Sequence, residues 1–157
     1  MCFNKKNIVQ FLQEALRKYS VVPTVTRQIV SPLTIGLHKL VSGLAVMISI
    51  QSVHHNPKFW KDPMKFDPTR FLESRSMEIA PYTFLPFIAG PRNCLGQYLA
   101  LLESKIVLSL LAQRYDLQLK SDETNEDPRH RFIVPIAPKG PLDVFVSKRI
   151  HNCNSKI

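Results

Sequence analysis

The stretch Phe87–Gly96 reads FIAGPRNCLG and stands immediately before a long apolar run. Gly90 and Pro91 mark a tight, stiffened turn, and Arg92 lies two residues before Cys94. From Gln97 to Arg114 the residues Leu99, Leu102, Ile106, Leu110 and Leu111 recur at helical spacing, with Glu103 and Lys105 on the less buried parts. The spacing predicts a helix opening within about two residues of Cys94. Its first amide N–H groups and the positive end of its dipole then point at the sulfur. Arg92 adds a full positive charge, so the surroundings favour the anionic form of the sulfur.

An anionic sulfur has three common uses. As a nucleophile it wants a nearby general base, and no histidine lies within this loop. As a redox centre it wants a resolving partner, but the other two cysteines, Cys2 and Cys153, sit near the chain ends. A single thiolate on a glycine-lined loop suits the fifth ligand of a haem iron. Taken alone, Cys94 reads more readily as a buried cysteine ahead of a packed helix. The odd cysteine count and the lack of any CxxC argue against a disulfide scaffold or a structural zinc site.

Outward from the loop, residues 54–94 hold half of the chain's 12 prolines, interleaved with aromatics. Such a segment cannot form long helices yet is too aromatic for disorder, and long ordered irregular segments usually serve a binding site. Earlier, Ile8, Phe11, Leu12, Ala15, Leu16 and Tyr19 predict a helix from Asn7 to Tyr19, with Gln10, Gln13, Glu14 and Arg17 on the opposite stripe. Pro23 ends that region. Strands are expected at Thr24–Ile29, Leu33–Ile35 and Ala45–Ile50, with Gly36 and Gly43 bracketing a hairpin connection. After the second helix come an acidic linker, SDETNEDPRH, and a hairpin of Phe132–Ile136 with Leu142–Val146 around APKGP.

The 157 residues suit one domain, and a hydrophobic fraction of 45% is enough for a core. No run approaches the ~20 apolar residues of a membrane span, and charges interrupt the apolar start, so it reads as amphipathic helix rather than signal peptide. The formal charge of +9 is spread over scattered lysines and arginines, so no nucleic-acid partner is expected.

Phe87, Gly90, Arg92, Cys94 and Gly96 together form F-x-x-G-x-R-x-C-x-G, which closely resembles the haem-binding signature of the cytochrome P450 monooxygenases. Two further elements occur in that family's order. Glu14-Ala15-Leu16-Arg17 resembles its E-x-x-R helix motif, and Phe66–Phe71 resembles its F-x-P-x-R-F segment. The resemblance implies a buried charged triad of Glu14, Arg17 and Arg70, whose disruption would cost roughly 3–5 kcal/mol. It also implies Cys94 as axial ligand and catalytic thiolate of haem b (iron protoporphyrin IX). Arg27 and Arg92 would meet the propionates, bidentate guanidinium geometry suiting a carboxylate. Phe87 would pack on the thiolate side of the ring, Gly90 and Gly96 would let the backbone approach it, and Ala100 would leave room beside it. In VHHNPKFW, His54 takes the histidine position of the family's H-x-D-P-x-x-W segment and is a candidate cofactor-site residue; its alternative is a hydrogen-bond-satisfied loop histidine.

The fold implied is α+β: the mainly helical C-terminal part of the P450 fold, with small β-hairpins and a long proline-rich meander. Residues 1–150 would form this haem-binding part and residues 151–157 a tail. The family's A/G-G-x-[DE]-T and W-x-x-x-R motifs and its N-terminal anchor do not occur, so the chain reads as a fragment, inactive by itself. The complete enzyme would insert one oxygen atom from O2 into a small lipophilic substrate. Its electrons would come from NADPH-cytochrome P450 reductase or a similar donor, docking on a basic face for which Arg92, Lys105 and Lys18 are candidates, at the endoplasmic reticulum membrane. A non-catalytic haem-binding or residual gene product, and a basic interaction module without haem, remain as alternatives.

Overall fold

The computed structural model describes residues 5–120, 130–131, 137–138 and 143–149. Cys2, Cys153, residues 121–129 of the acidic linker, the run 132–136 and the tail 151–157 lie outside them.

Helix α1, Lys5–Lys18, buries Ile8 and Leu12 as its apolar period requires. The stripe read as polar is divided. Glu14 and Arg17 are wholly buried, while Phe11, from the apolar stripe, is 44% exposed and meets Phe66 edge-on at 5.2 Å. Strand β1, Thr24–Gln28, pairs antiparallel with β4, Ala45–Ser49, setting Arg27 opposite Val46. Between them, β2 (Leu33–Ile35) and β3 (His38–Leu40) form a hairpin turning at Gly36, whose φ of +58° favours glycine. The sequence reading missed β3. It also extended β4 by one residue: Ile50 begins the short helix α2, Ile50–His54, capped by Ser49 Oγ accepting the Ser52 N–H.

Residues 55–96 contain only two 3₁₀ turns, Pro68–Phe71 and Glu73–Glu78, among the elements of the segment. An aromatic cluster holds it in place. Trp60, Phe71 and Phe84 stack at 4.8–6.4 Å between centroids, with the His54 ring 5.6 Å from Phe84. Trp60 is 3% exposed, and burying about 200 Å² of such a side chain contributes a gross ~5 kcal/mol. The described core is Ile8, Leu12, Ile29, Ile50 and Trp60, between α1, α2 and this segment.

Helix α3, Gln97–Arg114, has the predicted bounds but no buried residue. Leu99, Leu102, Ile106, Leu110 and Leu111, expected as the buried side, are each partly exposed, as are Tyr98 and Val107 on other sides. A helix apolar all round is the pattern of one surrounded by protein. The chain passes straight from α3 into β5, Tyr115–Leu119, which pairs antiparallel with β8, Val144–Lys148. The expected pairing around APKGP is thereby corrected. The described part of its second run belongs to β8 with β5 as partner, and the short pair β6 (His130–Arg131) and β7 (Ala137–Pro138) lies between. An ion pair of Arg149 with Asp116 closes the β5–β8 end, and the guanidinium holds the Asp116 carboxyl below its ordinary range. The described residues are thus three helices and four two-stranded antiparallel sheets.

Candidate functional site

Arg17 is the centre of the buried charge. Its Nε donates to Glu14 Oε2 at 2.7 Å and its Nη2 to Glu14 Oε1 at 2.8 Å, a bidentate pair one helical turn apart. Nη1 and Nη2 also donate to the carbonyls of His54 and Pro63, both at 2.8 Å. The guanidinium lies 5.3 Å from the Trp60 ring centroid, a cation–π distance. Arg70 joins from the first 3₁₀ turn. Its Nη2 donates to the Asp62 carbonyl at 2.9 Å, and its Nε stands 3.4 Å from Glu14 Oε1, an ion-pair distance without hydrogen-bond geometry. Glu14 also accepts the Asp67 N–H at 2.8 Å. Asp67 in turn caps the turn carrying Arg70, accepting from Thr69 N–H and hydroxyl, and the hydroxyl bond foremost holds its carboxyl below the usual range. The structure therefore brings Glu14, Arg17 and Arg70 into one buried network.

His54 lies on the other side of Arg17 and is fully buried. Leu85 N–H donates to its Nε2 at 2.8 Å, so that nitrogen is the acceptor and Nδ1 carries the proton. Nδ1 is 2.8 Å from Ser20 Oγ, to which it donates. Burial, then the charge of Arg17 and that of His55, lowers the His54 pKa from 6.5 to about 4. Of its two readings, the hydrogen-bonded histidine matches this geometry, since both ring nitrogens are committed to the protein.

Beyond Leu85 the backbone tightens. Ile88 N–H bonds the Leu85 carbonyl at 3.1 Å, Asn93 N–H bonds Gly90 at 3.1 Å, and Cys94 N–H bonds the Phe87 carbonyl at 3.0 Å. Ile88 has φ +63°, which strains a β-branched residue, and Gly90 has φ +84°. Gly96 has φ −83°, open to any residue, so its use here is smallness rather than turning. It precedes α3, and Ala100 N–H bonds its carbonyl at 2.9 Å. Cys94 is exposed, against the reading of a buried cysteine. Phe87 and Ala100 are half-buried and Arg92 is exposed.

An open groove of about 420 Å³ runs beside the loop. It is lined by Val25, Arg27, Ile48, Ile50, Tyr82, Leu85 and residues 88–92. Arg27, whose Nη1 donates to the Thr26 carbonyl, and Arg92 thus line one mostly apolar space. A Cβ placed on Gly90 or Gly96 would meet no atom within 4 Å, so the space over both is clear. Among the described residues no three His, Cys, Asp or Glu side chains gather as a metal site. Sequence reasoning missed Ser20 and the strained Ile88. No pattern signals either: Ser20 matters through the distant His54 ring, and Ile88 through a backbone angle that its residue type does not favour.

The model of the cytochrome P450 family matches residues 8–142. Among curated relatives, rat cytochrome P450 4X1 is 44% identical over 105 residues, 66% of this chain and 21% of that protein. Human cytochrome P450 4Z1 is 37% identical over 138 residues, 87% of this chain and 27% of that protein. A crystal structure of a cytochrome P450DA mutant heme domain superposes with a TM-score of 0.80 at 28% identity, covering 91% of this chain and 31% of that one. The chain thus spans between a fifth and a third of the length of these relatives. With that match over most of its length and the same fold in a solved relative, the chain belongs to the cytochrome P450 family.

Proposed function

We propose that this chain supplies the thiolate side of a haem monooxygenase, with Cys94 as the axial ligand of the iron. The observation that carries the reading is an exposed Cys94 three residues before α3, on a loop that also lines a mostly apolar groove containing two arginines. The residues present fit the group. A flat apolar macrocycle with two carboxylates suits a groove lined by Val25, Ile48, Ile50 and Ile88 together with Arg27 and Arg92. A lone sulfur donor suits an iron whose equatorial positions are already filled, and not a site built from protein ligands alone.

In this reading Cys94 holds the iron. Arg27 and Arg92 bind the propionates, Phe87 packs beside the sulfur, and Gly90, Gly96 and Ala100 leave room for the ring. When bound, haem supplies the cleavage of O2 and the transfer of one oxygen to a C–H bond of a small lipophilic substrate. The network of Glu14, Arg17 and Arg70 holds the segment that carries the loop. Electrons would arrive from NADPH-cytochrome P450 reductase or a similar donor, drawn to exposed Arg92 and to Lys105 and Lys18. No helix among the described residues is long and apolar enough to cross a membrane. Placement at the endoplasmic reticulum therefore belongs to the whole-protein reading.

The test is a haem titration read by the spectrum of the reduced, carbon-monoxide-bound form. A red-shifted band that Cys94→Ala abolishes and Cys2→Ala and Cys153→Ala preserve is expected. A band unchanged in Cys94→Ala overturns the ligand assignment, and no haem uptake by the unaltered chain overturns the cofactor.

A further inference from the structure

The strained Ile88 lines the groove, six residues before Cys94, and a β-branched residue holds φ +63° only where its surroundings over-determine it. The turn it closes begins at Leu85, whose peptide group is bonded at both ends. Its N–H donates to His54 Nε2 at 2.8 Å, and its carbonyl accepts the Ile88 N–H at 3.1 Å. The Phe87 carbonyl, inside that turn, accepts the Cys94 N–H at 3.0 Å. His54 itself cannot drift. Ser20 Oγ holds Nδ1 at 2.8 Å, the Arg17 guanidinium holds the His54 carbonyl at 2.8 Å, and the ring is fully buried against Phe84.

We propose that His54 is a positioning residue for the Cys94 loop: its Nε2, bare of hydrogen, anchors the Leu85 peptide and so keeps the strained Leu85–Ile88 turn from relaxing. The link runs from the end of α1 through Ser20 and His54 to Leu85, Ile88, Phe87 and Cys94. From Leu85 onward each step is a backbone hydrogen bond or a peptide unit, so side-chain substitutions in the loop would leave it in place. A histidine serves because one ring donates to the Ser20 hydroxyl from one nitrogen and accepts the Leu85 N–H at the other. Protonated, or in the tautomer with its hydrogen on Nε2, the ring would present N–H to the Leu85 N–H and the anchor would be lost. The importance of holding Cys94 rests on the ligand reading above, but the anchor itself does not.

The experiment is therefore run on the full chain without haem. Nitrogen NMR of the imidazole should show Nδ1 protonated and Nε2 unprotonated at neutral pH, and Nε2–H in the unaltered chain would overturn the proposal outright. In His54→Phe the amides of Leu85, Ile88 and Cys94 should exchange about tenfold faster, the worth of one buried hydrogen bond, while β5–β8 amides keep their rates. His54→Gln, whose side-chain oxygen can accept the Leu85 N–H, should restore most of that protection. Equal acceleration in β5–β8, or no recovery in His54→Gln, would mean that the ring only fills space. Failure here with an intact Cys94-dependent haem spectrum would reject the anchor and leave the ligand reading standing.

Discussion

Replacing Arg17 by methionine keeps much of the stem's volume and removes every hydrogen bond the guanidinium makes. Glu14 loses two bonds of 2.7 and 2.8 Å and keeps the Asp67 N–H, with Arg70 Nε at 3.4 Å outside hydrogen-bond geometry. The carbonyls of His54 and Pro63 lose their bonds to Arg17 at the same time. Leaving a buried carboxylate underpaired costs about 3–5 kcal/mol, and each carbonyl left unsatisfied adds roughly 1–3. A loss of at least about 4 kcal/mol, at a urea slope of ~2 kcal/mol per molar, lowers the midpoint by about 2 M. The double variant Glu14→Leu with Arg17→Met removes the stranded charge, so it should be less damaging than Arg17→Met alone. Arg70→Ala should cost about 2 kcal/mol, less than the sequence alone implied, because Glu14 keeps both Arg17 bonds. Urea titrations of the four proteins followed by circular dichroism decide it. A shift below about 0.5 M for Arg17→Met, or a double variant at least as damaging as Arg17→Met alone, would refute the reasoning.

His54 predicts an acid-sensitive stability. Its pKa is about 4 in the fold against 6.5 ordinarily, lowered by burial first and then by the charges of Arg17 and His55. The unfolded chain takes up a proton near pH 6.5 that the fold refuses until about pH 4. This contribution is therefore intact above 6.5, falls by about 3 kcal/mol as the pH drops toward 4, and levels off below. Urea midpoints across that window, compared with His54→Gln, isolate the effect; parallel curves would discount it. A third prediction is that the isolated chain, given haem and a competent reductase, inserts no oxygen into lipophilic substrates. Cys94 is open to solvent, and Leu95 and Tyr98 beside it are 99% and 84% exposed. NADPH-dependent turnover lost in Cys94→Ala would contradict it.

What could be read from the sequence followed its local periods. Helices α1 and α3 and strand β4 lay within a residue or two of their places, because each repeats an apolar pattern over several turns or alternations. The cysteine loop was legible for another reason, its fixed residues standing within ten positions. Strand β5 was hidden at the end of a helical run, although Tyr115, Leu117 and Leu119 alternate with Asp116 and Gln118. The inward turn of Glu14 and Arg17 could not come from periodicity, which assigns charged residues to the solvent side. It depends on carbonyls of His54 and Pro63 that no local pattern places there. Ile88 is the extreme case: isoleucine is a poor choice for a positive φ, and the turn that sets it starts at Leu85, whose N–H is held by the distant His54.

The reach of Arg17 bears on the order in which the chain folds. Its bonds and those of Glu14 close loops of 37 to 53 residues, to His54, Pro63, Lys65 and Asp67. Closing such loops costs chain entropy before any contact repays it, although each doubling of length adds only about 0.6 kcal/mol. Residues 55–96 form no ladder of their own to stabilise a partial structure. They must therefore acquire their shape together, when α1 docks, and not by stepwise growth. Helix α1 can form early from local contacts, whereas the Cys94 loop becomes ordered only at that late, cooperative step. A chain lacking residues 5–18 would lose the irregular segment as a unit, while the β5–β8 ladder would keep its own local pairing.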